Sequence, residues 1–313
     1  MGAGAVGGFY GAALAGRGHA VTFVARGAHL RAVQEHGLTV RSGGRATVLH
    51  PVHAVADPAE ARGDFELVLF TVKGYDTEPA ALALRPAVSP HTTVLTLQNG
   101  VDSGDRLGAV LGADRVLVGT TVIAATIAEP GIIDQPSPMR RIDLGELSGG
   151  LTPRVEAIAG ALRDAGVDVR VTTDVRRAVW EKFIRLAPGA TLTSACQASI
   201  GALRDTPETA ALYRALVAET VAVGRQTGVK LPPDAVETAM SQIQALPADM
   251  RTSMQLDYER RRRVELDDLT GTVVRLGRRL GVPTPAYDVL YAVLKVRAAT
   301  FGGEDRGARG FTR

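Results

Sequence analysis

The sequence predicts a two-part architecture: an α/β half built on a parallel sheet, followed by a mostly helical half. Three observations carry this. The chain opens on MGAGAVGG, in which Gly2, Gly4 and Gly7 form a G-x-G-x-x-G loop. Continuous apolar runs come next at Ala20–Arg26 (AVTFVAR) and Leu67–Lys73 (LVLFTVK), the pattern of parallel strands buried on both faces. After Asp174 the strand signals stop, and amphipathic helical stretches run to the end.

The glycine loop gains meaning from the residues after it. Phe9–Arg17 has helical spacing, Gly18-His19 is a turn, and the 20–26 run is a strand. Loop, helix, turn and strand are a Rossmann βαβ unit without its first strand. Each glycine has a physical task there: a tight turn, close backbone approach to a pyrophosphate, and close helix–strand packing. The first strand should precede the loop, so the sequence is expected to start about six to ten residues late, given ordinary strand lengths. Gly2, Ala3, Gly4, Ala5, Val6 and Gly7 are therefore the expected cofactor loop.

Further elements succeed one another along the chain. LTVRSGGRATVL, Leu38–Leu49, reads as a hairpin around Ser42-Gly43-Gly44. A strand at Thr92–Leu97 ends in Gln98-Asn99-Gly100, and more strands are expected at Val116–Ala124 and Arg141–Leu144. A helix at Pro153–Ala165 and a strand at Val169–Thr172 close the first domain, 1–174. The second, 175–313, should hold helices at 175–199, 207–228, 232–244, about 252–280 and 285–300, then a frayed polar tail, GGEDRGARGFTR.

Composition narrows the function. The 313 residues are 45% hydrophobic and 22% charged, with a net charge of only +3, so a nucleic-acid partner is not demanded. Aromatic residues make up 4%, too few for a base-stacking surface. The single cysteine, Cys196, permits no internal disulfide, suits a reducing cytoplasm, and reads as a small core residue. The first sixteen residues are apolar but lack the positive start of a signal peptide, and no stretch reaches eighteen apolar residues. A cytoplasmic protein with neither membrane nor nucleic-acid partners is the expectation, and no metal site is expected.

Cofactor choice is written at the end of the second strand. An NAD site usually places a carboxylate there to hold the ribose 2′-hydroxyl, whereas this chain has Arg26, nineteen residues past Gly7. Arginine favours the extra phosphate of NADP(H), and Arg31 and Lys73 can join it. Lys73 and Asn99 both come directly after strands, where ligands of open α/β sheets lie. Asn-Gly is also a common turn dipeptide.

Two stretches of the helical half carry further chemistry: AVWEKFIRLAPGATLTSA (178–195) and TSMQLDYERRRRVELDDLTG (252–271). With the glycine loop and LQNG in this order, the chain resembles the ketopantoate reductase (2-dehydropantoate 2-reductase) family over essentially its whole length. That family's patterns are approximately W-x-K-L-x-x-N-x-x-x-N-x-L-T, and S-M-x-x-D followed by R-x-T-E-I-D. The resemblance implies NADPH-dependent reduction of a 2-oxo acid, ketopantoate first, in pantothenate biosynthesis. It implies Lys182 and Glu265 as catalytic residues, Asn99 and Ser253 as substrate-binding residues, and the loop with Arg26, Lys73 and Asn99 as the cofactor site. A homodimer is left open.

The chemistry is reasonable on its own terms. Reducing a ketone turns its oxygen into an alkoxide that needs positive charge and then a proton, and a held lysine supplies both. A glutamate can orient the lysine or bind a substrate hydroxyl, and a serine can hold a carboxylate. Without the resemblance, Lys182 reads equally as a surface helix lysine and Glu265 as a solvated partner of Arg260–Arg263. The chain also departs from the family pattern. Leu186 and Ala190 stand where it has asparagines, Val264 replaces a threonine, and Pro188 should kink its helix. These departures put the substrate in doubt. The alternatives are a related dehydrogenase acting on another 2-oxo or hydroxy acid, a non-catalytic dinucleotide-binding redox sensor, and nucleic-acid binding through the arginine run.

Overall fold

A computed structural model describes residues 1–61 and 63–301. The chain divides into two compact units, one covering Met1–Val179 and a second starting at Trp180. The division falls inside a helix, five residues past the expected boundary at 174.

The first unit contains, in order, α1 (Ala5–Ala15), β1 (Thr22–Val24), α2 (Gly27–His36), β2 (Leu38–Ser42), β3 (Arg45–Leu49), β4 (His53–Val55) and β5 (Leu67–Phe70). It continues with α3 (Thr77–Leu84), β6 (Thr93–Thr96), α4 (Ser103–Leu111), β7 (Val116–Ile123), β8 (Thr126–Glu129), β9 (Ile132–Gln135), β10 (Arg140–Glu146), α5 (Pro153–Asp164) and β11 (Asp168–Val171). The main sheet runs β11-β10-β7-β6-β5, with β5, β6 and β7 parallel, and β1 pairs with β4 in parallel. Met1–Ala3 lie between these two pieces. The Met1 amino group donates to the Leu69 carbonyl and the Thr71 amide to that of Met1, the bonding of a parallel pair. On the other side, the Gly2 and Ala3 amides donate to Val24 O. This is the slot a first Rossmann strand takes. Burial there pushes the Met1 ammonium pKa down to about 5.

Alternation along the strands sorts side chains to the two faces of the sheet. Leu95 and Leu117 pack with Phe9, Tyr10 and Leu14 of α1 and Val155, Ile158 and Leu162 of α5. Their neighbours Val94, Val116 and Val118 pack instead with Ala80, Ala81 and Leu84 of α3 and Leu107 of α4. Helices on both faces of a buried parallel sheet are the doubly wound arrangement that the apolar runs predicted. The hairpin at Ser42-Gly43-Gly44 is present, both glycines having positive φ. It belongs to a separate four-stranded sheet, β3-β2-β9-β8, whose β8 and β9 were not anticipated. They are short, and four exposed residues in β8 leave no alternation to read.

In the second unit, α6 (Val175–Cys196) enters from the first, and α7 (Ile200–Asp205), α8 (Pro207–Gln226), α9 (Ala235–Gln244), α10 (Ser253–Glu259), α11 (Thr270–Leu280) and α12 (Pro285–Ala299) complete it. Trp180 and Phe183 of α6 meet edge to face at 5.6 Å, and Gly224 of α8 lets the indole approach, since a Cβ there would lie 2.8 Å from it. Glu219 of α8 caps α12, accepting the amides of Ala286 at 2.9 Å and Tyr287 at 3.1 Å.

Two expectations need correction. The helix expected over 252–280 is broken after α10 by a Schellman turn: Arg261 has φ 51°, its amide donates to Tyr258 O, and that of Arg262 donates to Asp257 O. The arginine run is therefore exposed loop, not a charged helix face. Cys196 is exposed rather than core, because α6 ends there and Gln197 turns away at φ 55°. Helix α6 runs through Pro188, within the helix expected over 175–199. The expected polar tail, 302–313, lies outside the described residues.

Candidate active site

The cofactor side is built from backbone. Gly2 has φ +84°, and a Cβ there would meet Val72 Cγ1 at 2.7 Å and Val72 N at 2.8 Å, so only glycine fits this turn. Gly7 sits in the first turn of α1 against the end of β5. A Cβ there would lie 2.2 Å from Thr71 Oγ1 and 2.6 Å from Gly2 O. Gly4 differs: its Cβ would meet nothing nearer than Gly2 O at 4.0 Å. Two glycines are thus needed for packing within the loop, and the third keeps open the space in front of the helix. Gly4 is the N-cap of α1, so the amides of Ala5, Val6 and Gly7 are first-turn donors without intrahelical acceptors, and no acidic residue offsets their dipole. This is an anion cradle of the right form for a dinucleotide pyrophosphate.

Arg26, Lys73 and Asn99 each follow the carboxyl end of a strand, and the strands before Lys73 and Asn99 are adjacent. Arg26 comes after β1 and is the exposed N-cap of α2. Lys73 comes after β5 and opens the turn Gly74–Asp76, half-buried. Asn99 comes after β6, half-buried, with Gly100 at φ +114°.

Two residues that the sequence did not single out hold these segments together. Thr71 Oγ1 donates to Gly2 O at 2.8 Å and fixes the glycine loop to β5. Buried Gln98 donates through Nε2 to Val72 O at 3.0 Å and Thr77 Oγ1 at 2.8 Å, and its Oε1 accepts from Thr96 at 3.1 Å. It thereby ties the Lys73 turn to the Asn99 turn. The Q of QNG was the only trace of this.

In the second unit, Lys182 lies on α6, half-buried beside the buried pair Phe183 and Ile184. Ser253 is the first residue of α10, exposed between buried Thr252 and Met254. Glu265 lies in the segment between α10 and α11 and is only 5% exposed. A carboxylate so enclosed is shielded from solvent. Its carbonyl accepts the Leu269 amide at 3.0 Å, shaping the approach to α11.

Residues 1–149 match the family model described as ketopantoate reductase PanE/ApbA, and residues 174–298 match the model of its C-terminal domain. The chain belongs to the ketopantoate reductase family. A 2-dehydropantoate 2-reductase of Mesorhizobium japonicum is 33% identical over 326 residues, which cover 96% of this chain and 98% of the relative. The crystal structure of a PanE/ApbA family ketopantoate reductase from Ralstonia eutropha JMP134 superposes with a TM-score of 0.89 at 34% identity, covering 96% and 98% of the two chains. The ternary structure of a D-mandelate dehydrogenase with NADH and anilino(oxo)acetate has a TM-score of 0.88 at 21% identity, with 96% and 97% covered, and shares the fold.

The ketopantoate reductase family is one of oxidoreductases, and this chain is an enzyme of that kind. Within it, Leu186, Pro188 and Ala190 depart from the pattern on α6, and Val264 departs from it just before Glu265. Ala190 is buried and Leu186 half-buried, so neither offers a side-chain amide where the family pattern has one. Among the described residues no group of three His, Cys, Asp or Glu could hold a metal ion, and no helix is long and apolar enough to cross a membrane.

Proposed function

We propose that this protein reduces ketopantoate to pantoate with NADPH as the reductant, Lys182 acting as general acid. The glycine loop is the observation that carries the cofactor half: Gly4 leaves its Cβ position open in front of α1, while Gly2 and Gly7 are locked in place. When bound, NADPH supplies the hydride. The first-turn amides of α1 hold its pyrophosphate, and Arg26 and Lys73 take the 2′-phosphate.

The chain's own residues do the rest. The Lys182 ammonium holds its proton at the substrate carbonyl, so charge developing on that oxygen is met by a cation and then neutralised. Glu265, in its enclosed setting, orients that ammonium or binds the substrate hydroxyl. The Ser253 hydroxyl donates to the substrate carboxylate, and Asn99 binds substrate on the cofactor side. The relatives named 2-dehydropantoate 2-reductase support this substrate. The enzyme works in the cytoplasm.

Leu186 and Ala190 favour a second reading, in which the preferred 2-oxo acid has a more apolar side chain. A site that hydrogen-bonds a polar substrate group discriminates by about 1–3 kcal/mol per buried contact, and two contact positions are apolar here. NADPH consumption across a panel of 2-oxo acids, with NADH alongside, tests both readings. Turnover of ketopantoate with NADPH supports the first. Turnover confined to apolar 2-oxo acids supports the second, and no turnover of any member refutes both.

A further inference from the structure

The last two turns of α6 carry buried hydroxyls, of which Thr193 falls on the closing threonine of the family pattern and Thr191 on one of its unspecified positions. Thr191 Oγ1 lies 2.7 Å from Thr270 Oγ1 at the start of α11, and Thr193 Oγ1 lies 2.7 Å from Thr252 Oγ1 at the start of α10. Two positions along a helix is about 200° of rotation, so the two hydroxyls leave α6 on opposite sides and reach different helices. One direction satisfies both hydroxyls of the second bridge. With the Thr193 proton on Gly189 O at 2.8 Å, Thr193 accepts from Thr252. Thr252 Oγ1, the N-cap of α10, in turn accepts the Gln255 amide at 3.3 Å. The chain of bonds therefore runs from Gln255 N–H to Thr252, to Thr193, to Gly189 O. Thr193 is fully buried and Thr252 is 9% exposed.

These bonds fix the one turn that presents Ser253. Helix α10 has only seven residues, too few to hold its own geometry, so tertiary ties must set its position and rotation. Its far end is held by Tyr258 Oη donating to Leu294 O at 3.0 Å. Its near end is held by Thr252, the residue next to Ser253. We propose that Thr193 and Thr252 are positioning residues, which aim the Ser253 hydroxyl at the substrate carboxylate from the same helix that bears Lys182. The inference rests on the role proposed for Ser253 as the group that binds the substrate carboxylate. The hydroxyl of Thr193 is a requirement of this role, whereas a packing role would need only its shape.

The test compares Thr193→Val, Thr193→Ala, Thr252→Ser and Ser253→Ala, with kcat and KM for the best 2-oxo acid of the wild type, NADPH Kd and Tm measured for each. Valine keeps the shape of Thr193 and leaves the Thr252 cap on Gln255 in place. Thr193→Val is expected to raise KM about tenfold, the loss of one well-aimed hydrogen bond, with kcat changed by less than about threefold and NADPH Kd unchanged. Thr252→Ser should behave as wild type, and adding Thr193→Val to Ser253→Ala should raise KM no further. If Ser253→Ala raises KM while Thr193→Val does not, the bridge has no positioning role and the reading of Ser253 stands. If Ser253→Ala leaves KM unchanged, that reading falls and this proposal with it. A loss of kcat, NADPH affinity and Tm alongside the KM rise in Thr193→Val, or failure of both Thr193 variants to fold, makes the bridge a stability element and overturns the proposal.

Discussion

Two neighbouring glycines of the loop should respond in opposite ways to the same added methyl. At Gly7 the new Cβ would fall 2.2 Å from Thr71 Oγ1 and 2.6 Å from Gly2 O, and needs roughly 1 Å of relief. The Gly2 carbonyl is not free to yield, because it accepts from Thr71 Oγ1 at 2.8 Å and from the Gly4 amide at 2.7 Å. Overpacking of this kind costs about 1–3 kcal/mol, against a gain of about 0.5–1 kcal/mol from replacing glycine in a helix. The net for Gly7→Ala is about 1–2 kcal/mol of lost stability, which lowers the Tm of a unit of this size by roughly 2–8 °C. At Gly4 the methyl meets nothing within contact distance, and φ −76° suits alanine. The weaker N-cap and the stiffer unfolded chain nearly cancel, at about 0.5–1 kcal/mol each. Gly4→Ala should therefore melt within about 2 °C of wild type, yet bind NADPH about tenfold or more weakly, because its methyl occupies the space kept for the pyrophosphate. Thermal melts and fluorescence titration with NADPH measure both quantities. Wild-type NADPH affinity in Gly4→Ala, or a wild-type Tm in Gly7→Ala, would refute this account of the loop.

Three other substitutions test separate parts of the account. Lys182→Ala should lower kcat about a hundredfold or more, the usual scale for a positioned acid, with NADPH Kd unchanged; near-normal turnover removes it as proton donor. Arg26→Asp should weaken NADPH binding and abolish its preference over NADH, whereas equal affinities of the wild type for both would sink the 2′-phosphate assignment. Glu146 accepts from Arg154 Nε at 2.8 Å and from Thr152 at 2.5 Å, and the Arg154 hydrogen bond, then Thr152, holds its carboxyl below the usual range despite desolvation. Its folded pKa is depressed, so the stabilisation is present above about pH 4.5 and is lost as pH falls below it. Glu146→Gln should thus lower Tm near neutral pH, and the gap to wild type should narrow on acidification below that point; a constant gap contradicts the pairing.

Much of the fold was legible because its signals are local. Buried parallel strands show as apolar runs whatever their partners, and Gly2 and Gly7 of the loop answer to steric demands that only glycine meets. The Arg260–Arg263 break was not legible, since no glycine marks it: Arg261 takes the left-handed cap position itself. Cys196 was misjudged for a similar reason, because composition says what a residue prefers and not where its helix ends. On the site, the side chains with charge or a motif stood out, while those that hold them did not. Thr71, Gln98 and Thr193 act through neighbours far away in sequence, and nothing nearby in the chain reveals those neighbours.

The most direct test of the central claim is turnover of ketopantoate with NADPH by the purified wild-type protein, with pantoate identified as the product. The account predicts that pantoate forms in step with NADPH consumed. It also predicts a kcat/KM below about 10⁴ M⁻¹s⁻¹, the lower end of the ordinary enzyme range, because Leu186 and Ala190 supply no amides. A value well inside that range would show the missing amides to be compensated. No pantoate at any concentration of enzyme, with turnover of another 2-oxo acid, would contradict the claim.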